Sequence, residues 1–212
     1  MTMTQRIPFG LDRLPRSLAP DDPRLPGVTV GDGPLRLNTE PLPAEAMAQA
    51  TGAHAARVTA MRAFLHALCG DYAPLRQRFV DVYLDGLAAH VEAHREELAH
   101  TLQRYDGLYA PEDWLWSALR PLPRAWLPTA SGVVPADVAF WDGAQVIAVD
   151  FDGKLQAEGL AICRVTPAVL AGEPLSLLRL LPQSFRCFWR GQTLPVSPFR
   201  QPIPSGVLAE RG

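Results

Sequence analysis

The chain has 212 residues, 48% of them hydrophobic, and a net charge of −2; its mean hydropathy is near zero. That is enough apolar material for a sizeable core, and it excludes a wholly disordered chain. The near-neutral charge excludes a global field that would gather nucleic acid, and no uncharged run of about 18 apolar residues is present to span a membrane as a helix.

Residues 1–43 carry eight prolines and little periodicity, which predicts an extended arm with at most a short strand at Gly27–Val30. Its leucines (Leu11, Leu14, Leu18, Leu25, Leu35, Leu37) are apolar anchors. They suit either packing along the chain's own domain or wrapping a protein partner. MTMTQRIPFG lacks the apolar core of a signal peptide, and Cys69, Cys163 and Cys187 are odd in number with no C-x-x-C spacing. The expected setting is therefore a reducing cytoplasm.

From residue 44 to 107 the pattern turns helical. One helix is predicted to end at Cys69 before Gly70, and a second to run from Asp71 to about Tyr105 with a stripe of Leu75, Phe79, Val82, Tyr83, Leu87, Val91, Leu98 and Leu102. A short turn between them makes a helical hairpin. On the second helix His90, His94 and Glu97 share a face at i, i+4 and i+7, a spacing that suits zinc as well as a solvated charged surface.

The segment 108–194 reads as an α+β domain. A short helix opens at Pro111 with Glu112 in its first turn, where the helix dipole favours a carboxylate. Residues 121–130 are too rich in proline for a central strand and suit an edge strand near 124–127. Two strands, 134–141 and 144–152, flank Asp142-Gly143, which reads as a two-residue hairpin turn. That turn places Phe140 opposite Gln145 and Asp137 opposite Ala148, with Asp150 diagonal to Asp137. Asp137, Asp150 and Asp152 then share a sheet face above Ala139 and Ala148, with room above the alanines. Three carboxylates on one face need solvation, protonation or a cation, and a hard oxygen-seeking ion such as Mg²⁺ or Mn²⁺ is the natural candidate.

A strand near 160–166 follows, then a helix over 167–181 interrupted at Gly172-Glu173-Pro174, and a final strand or hairpin at Phe185–Arg190 that exposes Arg186 and Arg190. These two arginines suit phosphate contacts or plain solvation. Residues 195–212 read as an irregular tail. The C-terminal stretch from Lys154 holds 7 basic residues against 3 acidic, whereas residues 1–153 hold 13 against 19, an asymmetry that fits a weakly basic docking edge.

These elements resemble the PD-(D/E)xK nuclease superfamily, and more closely its very-short-patch-repair-like endonuclease branch. The resemblance is carried by Pro111-Glu112-Asp113-Trp114-Leu115-Trp116, by Asp137 on the first hairpin strand, by Asp150-Phe151-Asp152-Gly153 at the end of the second, and by Gly159, Ile162 and Arg164. It implies an α-β-β-β-α-β core and Mg²⁺-dependent phosphodiester hydrolysis. By the same resemblance Asp137 and Asp150 would hold the metal, Asp152 or Lys154 would orient the attacking water, and Glu112 would add an outer ligand. In the family a helix of a dozen or so residues joins the acidic strand to the last of these motifs; here only Lys154–Glu158 intervene. The strand at 160–166 is therefore expected antiparallel, completing a meander through a turn at Asp152-Gly153 that points Lys154 away from Asp150. If the strand instead runs on, Asp152 and Lys154 share a face. A nuclease-like enzyme and a non-catalytic DNA- or protein-binding module on a degenerate nuclease-like fold are the two functional expectations. No phosphate loop, dinucleotide fingerprint or nucleophile elbow is present.

Overall fold

The computed structural model describes residues 4–31, 33–37, 54–71, 73–103 and 109–181. The expected final strand, with Arg186 and Arg190, and the tail lie outside them. Among the described residues the architecture is mixed α+β, with a two-stranded and a four-stranded sheet and six helices. Strands β1 (Gln5–Pro8) and β2 (Gly27–Val30) form an antiparallel ribbon. Helices α1 (His54–Cys69), α2 (Pro74–Ala93) and α3 (Arg95–Leu102) follow, then a 3₁₀ helix (Pro111–Ser117). Strands β3 (Leu122–Thr129), β4 (Gly132–Trp141), β5 (Val146–Asp150) and β6 (Ala161–Arg164) make the second sheet in that order. Helices α4 (Pro167–Ala171) and α5 (Pro174–Leu180) close the described chain.

Both faces of the larger sheet are apolar, so both are covered. Val138, Phe140, Ile147, Val149 and Cys163 pack on α1, α2 and α5 through Met61, Leu65, Phe79, Tyr83, Leu87 and Leu177. Phe79, Tyr83, Phe140 and Phe151 meet there ring to ring at 5.4–6.2 Å, separations at which tilted aromatic pairs attract. The Tyr83 hydroxyl, fully buried, donates to the Leu119 carbonyl at 2.7 Å. The opposite face, with Leu122, Ala125, Leu127, Ala139 and Ala148, lies under Ile7, Phe9, Val28 and Val30 of the ribbon. The space expected above Ala139 and Ala148 is thus filled by the chain's own N-terminal segment, and the described part of the proline-rich arm packs on its own sheet.

Helix α1 is tied to α2 by Arg62, which reaches Asp81 and Asp85 at 2.6 Å each. The second helical stretch is not continuous to residue 105. It breaks at His94 (φ −116°, ψ 19°), and the bend lets Val91, Leu98 and Leu102 close on Tyr109 and Trp114 as a separate small core. The break falls within the His90, His94 and Glu97 trio, and no three metal-ligating side chains among the described residues are grouped so as to hold an ion. The His90 and His94 rings stack 4.1 Å apart, and His94 Nδ1 lies 2.9 Å from the His90 carbonyl.

Two expectations about the sheet are corrected. The β4–β5 connection is a four-residue turn, because the Asp142 carboxylate accepts the amides of both Ala144 and Gln145 at 2.8 Å. Phe140 accordingly pairs with Ile147 and Val138 with Val149, a register two residues from the one a two-residue turn sets. In addition β6 runs parallel to β5, so the antiparallel meander is made by β3, β4 and β5 and the strand at 160–166 is not part of it. The sheet has an edge strand at β3, which extends over Leu122–Thr129 despite two prolines.

Helix α2 crosses α5 closely at Gly86, where an added Cβ would lie 2.8 Å from the Pro174 carbonyl oxygen. Alanine in place of glycine improves helix propensity by about 1 kcal/mol, but overpacking of this kind costs about 1–3 kcal/mol. Gly86→Ala is expected to lower the melting temperature by several degrees in a calorimetric scan, the reverse of what propensity alone gives. A second expectation concerns pH. Partial burial first, and the neighbouring His94 second, push His90 down to about 4, with Glu97 opposing. The unfolded chain then binds the extra proton between about pH 6.5 and 4. Stability should fall as pH drops through that window, and His90→Gln should flatten the dependence in urea melts at successive pH values.

Candidate functional site

The charged residues singled out on β4 and β5 gather at one end of the large sheet. Continuing the β3–β4 and β4–β5 registers by one residue puts Arg124, Asp137 and Asp150 in one transverse row, and Asp150 pairs with Arg164 on β6. Asp137 is thus directly across from Asp150, not diagonal to it. Side chains directly opposite in an antiparallel pair have Cβ atoms about 4.5–5.5 Å apart, and like charges there repel.

The row coincides with a break in the pleat. Val134 and Ala136 face the ribbon, as does Ala139, while Val138 faces the helices, so the alternation slips by one residue at Asp137. Opposite it, Arg124 has φ 51°, the one positive φ at a non-glycine position among the described residues. That conformation costs on the order of 1–2 kcal/mol. Three strong contacts hold it: Arg124 donates to the Leu68 carbonyl at 2.7 Å, the Gly10 carbonyl at 2.6 Å and Asp12 at 2.7 Å. Trp126 Nε1 donates to the Leu11 carbonyl at 3.0 Å. The strained arginine and the tryptophan together fasten the segment after β1 to the sheet.

At this end lies an open cleft of about 510 Å³, lined among others by Leu11, Asp12, Arg76, Arg124, Trp126, Asp137, Asp150, Asp152, Lys154 and Gln156. Asp137, Asp150, Asp152 and Lys154 are brought together. Asp137 accepts from Arg76 Nε at 3.0 Å and from the Phe151 amide at 3.4 Å. Asp150 is 3% exposed, and its two oxygens accept the Gly153 and Leu155 amides at 3.1 and 3.2 Å. Those bonds curl the chain away from the strand, so β5 stops at Asp150 and the Asp152-x-Lys154 pair lies in the loop. Neither the turn into a meander nor the continued strand describes it. Lys154 Nζ sits 2.6 Å from Asp152. The hydrogen bond from Lys154 holds the Asp152 carboxyl below the usual carboxylate range, and Asp152 raises Lys154 in return.

Glu112 is not part of this cleft. It pairs with Arg95 at 2.8 Å, beside the Arg95–Glu92 bridge, in a separate hollow of about 170 Å³ with His54, Val91 and Leu115. Asp113 acts structurally, accepting the Ala110 amide at 2.9 Å at the start of the 3₁₀ helix and pairing with Arg57 at 3.2 Å. Cys69 and Cys163 are buried, and burial pushes the Cys69 thiol up to about 11, which removes it as a nucleophile at neutral pH.

Arg76, Arg124 and Trp126 are cleft residues that the sequence pattern did not single out. Arg76 reaches Asp137 from 61 positions away, and nothing local to the first turn of α2 marks it. Arg124 carried one signal, its position in a proline-flanked strand.

As donors, carboxylate oxygens suit a hard divalent cation, and each oxygen of Asp137 and Asp150 keeps a lone pair beyond the bonds above. In their present arrangement, however, no three His, Cys, Asp or Glu side chains among the described residues are grouped so as to hold a metal ion. The donor chemistry fits; Arg76 and Lys154 stand on two of the carboxylates. The chain matches no family model, and no curated protein or solved structure proved similar to it. No helix among the described residues is long and apolar enough to cross a membrane.

Asp150→Asn would keep one acceptor for two amides and turn an N–H toward the other. An unsatisfied buried donor costs about 1–3 kcal/mol, so this variant should melt several degrees below wild type, whereas exposed Asp152→Asn should melt with it. Equal melting temperatures for the two would show that the amide contacts of Asp150 do not hold the loop.

Proposed function

We propose that this is a nuclease-like protein that hydrolyses phosphodiester bonds with a divalent cation, Mg²⁺ or Mn²⁺, in the cleft at the end of β4 and β5. The observation that carries the reading is that Asp137, Asp150, Asp152 and Lys154 line one cleft, with Asp137 and Asp150 each one residue beyond the Val138–Val149 pair of β4 and β5. The direction of β6, the strand that carries Ile162 and Arg164, is compatible with it: the chain returns parallel to the acidic strand, although the crossover over residues 151–160 contains no helix. Asp137 and Asp150 would hold the cation, and Lys154 is the group placed to engage a phosphate or a water beside it. The bound ion would supply an activated water and charge neutralisation at the phosphate. Glu112 has no part in this reading, since it is bound to Arg95 elsewhere.

A second reading, a non-catalytic DNA- or protein-binding module on the same fold, is favoured by a different observation: Asp137, Asp150 and Asp152 each already have a protein donor. The two part on metal binding. Under the first, Mn²⁺ at one hundred times its Kd adds about 2.7 kcal/mol of stability, visible as a thermal shift that Asp137→Asn abolishes. Cleavage of plasmid or single-stranded DNA should need the same ion and be lost, at least hundredfold, in Asp137→Asn and Asp152→Asn. A purified protein that shows neither shift nor cleavage with Mg²⁺ or Mn²⁺ leaves the binding module as the reading.

A further inference from the structure

We propose that Trp126 is a stacking platform for an unpaired nucleobase, so that the strand entering the cleft is single-stranded or locally unpaired. The inference rests on the reading above that the cleft meets nucleic acid, and it names the form of nucleic acid taken; it does not depend on a bound metal ion. The cleft, about 510 Å³, falls within the range of about 300–1,000 Å³ in which small-molecule sites lie. Beside its charged groups it has apolar lining residues, Leu11, Trp126, Val134, Pro135 and Leu155, none of which is buried. Water therefore contacts apolar surface there that the fold leaves uncovered, and covering it is favourable.

The Trp126 Nε1–H donates to the Leu11 carbonyl at 3.0 Å, and its backbone is paired with Pro135 in the β3–β4 ladder. The bond sets the ring's orientation and satisfies its one polar atom, so what remains open to the cleft is ring carbon. Such a ring binds a nucleobase by stacking, and it does so for any base because each has a π-face. Inside a duplex both faces of a base are covered by its neighbours, so only an unpaired and unstacked base can reach the ring. Lys154 is the cation for the attached phosphate: it lines the same cleft, is 82% exposed, and its ammonium gives Asp152 only one of its three protons. A groove with charged groups alone would accept the backbone of a duplex as readily as that of a single strand; the open indole is what distinguishes this one.

The test is fluorescence anisotropy of a short labelled oligonucleotide, as a single strand and as its duplex, in EDTA at low salt, so that no metal ion contributes and no strand is cut. Wild type should prefer the single strand by about tenfold. Trp126→Phe keeps a ring but loses the bond to Leu11, whereas Trp126→Leu loses both. If the ring stacks on a base, Trp126→Phe stays within about threefold of wild type and Trp126→Leu binds the single strand about tenfold more weakly. The strand should also quench indole fluorescence more in wild type than in Trp126→Phe, a readout that does not need Trp126→Leu to fold. Equal weakening in both variants would mean that the tryptophan only fastens the segment after β1, and it would overturn the proposal, as would a wild type that binds duplex as tightly as single strand. Cleavage of the same strands with Mg²⁺ or Mn²⁺ is scored separately. Single-strand binding through the ring without cleavage removes the hydrolase reading and leaves the platform; cleavage that Trp126→Leu does not weaken removes the platform and leaves the hydrolase. A wild type that neither binds nor cuts removes both.

Discussion

A four-stranded sheet that is apolar on both faces must be covered twice, and this requirement organises the molecule. Helices α1, α2 and α5 take one side; the ribbon of β1 and β2 takes the other. Burial at roughly 25 cal/mol per Å² of apolar surface is the dominant favourable term on either side. The ribbon is therefore part of the core, although its proline content gives it the composition of a linker. With both faces closed, polar chemistry is left to the sheet's end, and the cleft lies there.

At that end the strands depart from regular geometry in a concerted way. Arg124 adopts a backbone conformation that L-residues avoid, and the pleat slips at Asp137 across from it. The hydrogen bonds of Arg124 to Gly10 and Leu68, with its ion pair to Asp12, tie the ribbon, α1 and β3 into one corner. A bond to a charged group contributes about 1.5–3 kcal/mol, so these contacts together outweigh the strain of one residue. The consequence for the site is positional: Leu11, Asp12 and Trp126 line the cleft, Trp126 bonded to Leu11 and Arg124 to Asp12.

Much of this was legible in the residues. The alternation of Val138, Phe140, Ile147 and Val149 identified the strands and the face that meets the helices, and the acidic groups at 137, 150 and 152 do line one opening. Register and direction were less legible, for reasons that are now visible. Asp-Gly suggested a two-residue turn, but the Asp142 side chain captures two amides and widens the turn to four residues, which moves Asp137 directly opposite Asp150. The short connection to β6 suggested an antiparallel return. Yet β5 is only five residues, about 17 Å at 3.3 Å per residue, and residues 151–160 in extended form reach about 33 Å. A strand this short can be crossed by an extended chain without a helix, although the connection is shorter than parallel crossovers usually are. Arg76 was invisible because its partner lies far away in sequence. Glu112 had the composition of a helix start and serves there, paired with Arg95.

The charge balance of the cleft decides how it can meet an anion. Asp12, Asp137, Asp150 and Asp152 stand against Arg76, Arg124 and Lys154, so the formal sum is one negative charge, and the protein as a whole is also slightly acidic. Such a surface does not attract a polyanion by itself. One divalent cation held there would bring the formal sum of the cleft to one positive charge. Electrostatic affinity for a phosphodiester would then arise only once the ion is in place, so that loading of the metal and admission of the substrate become a single electrostatic event.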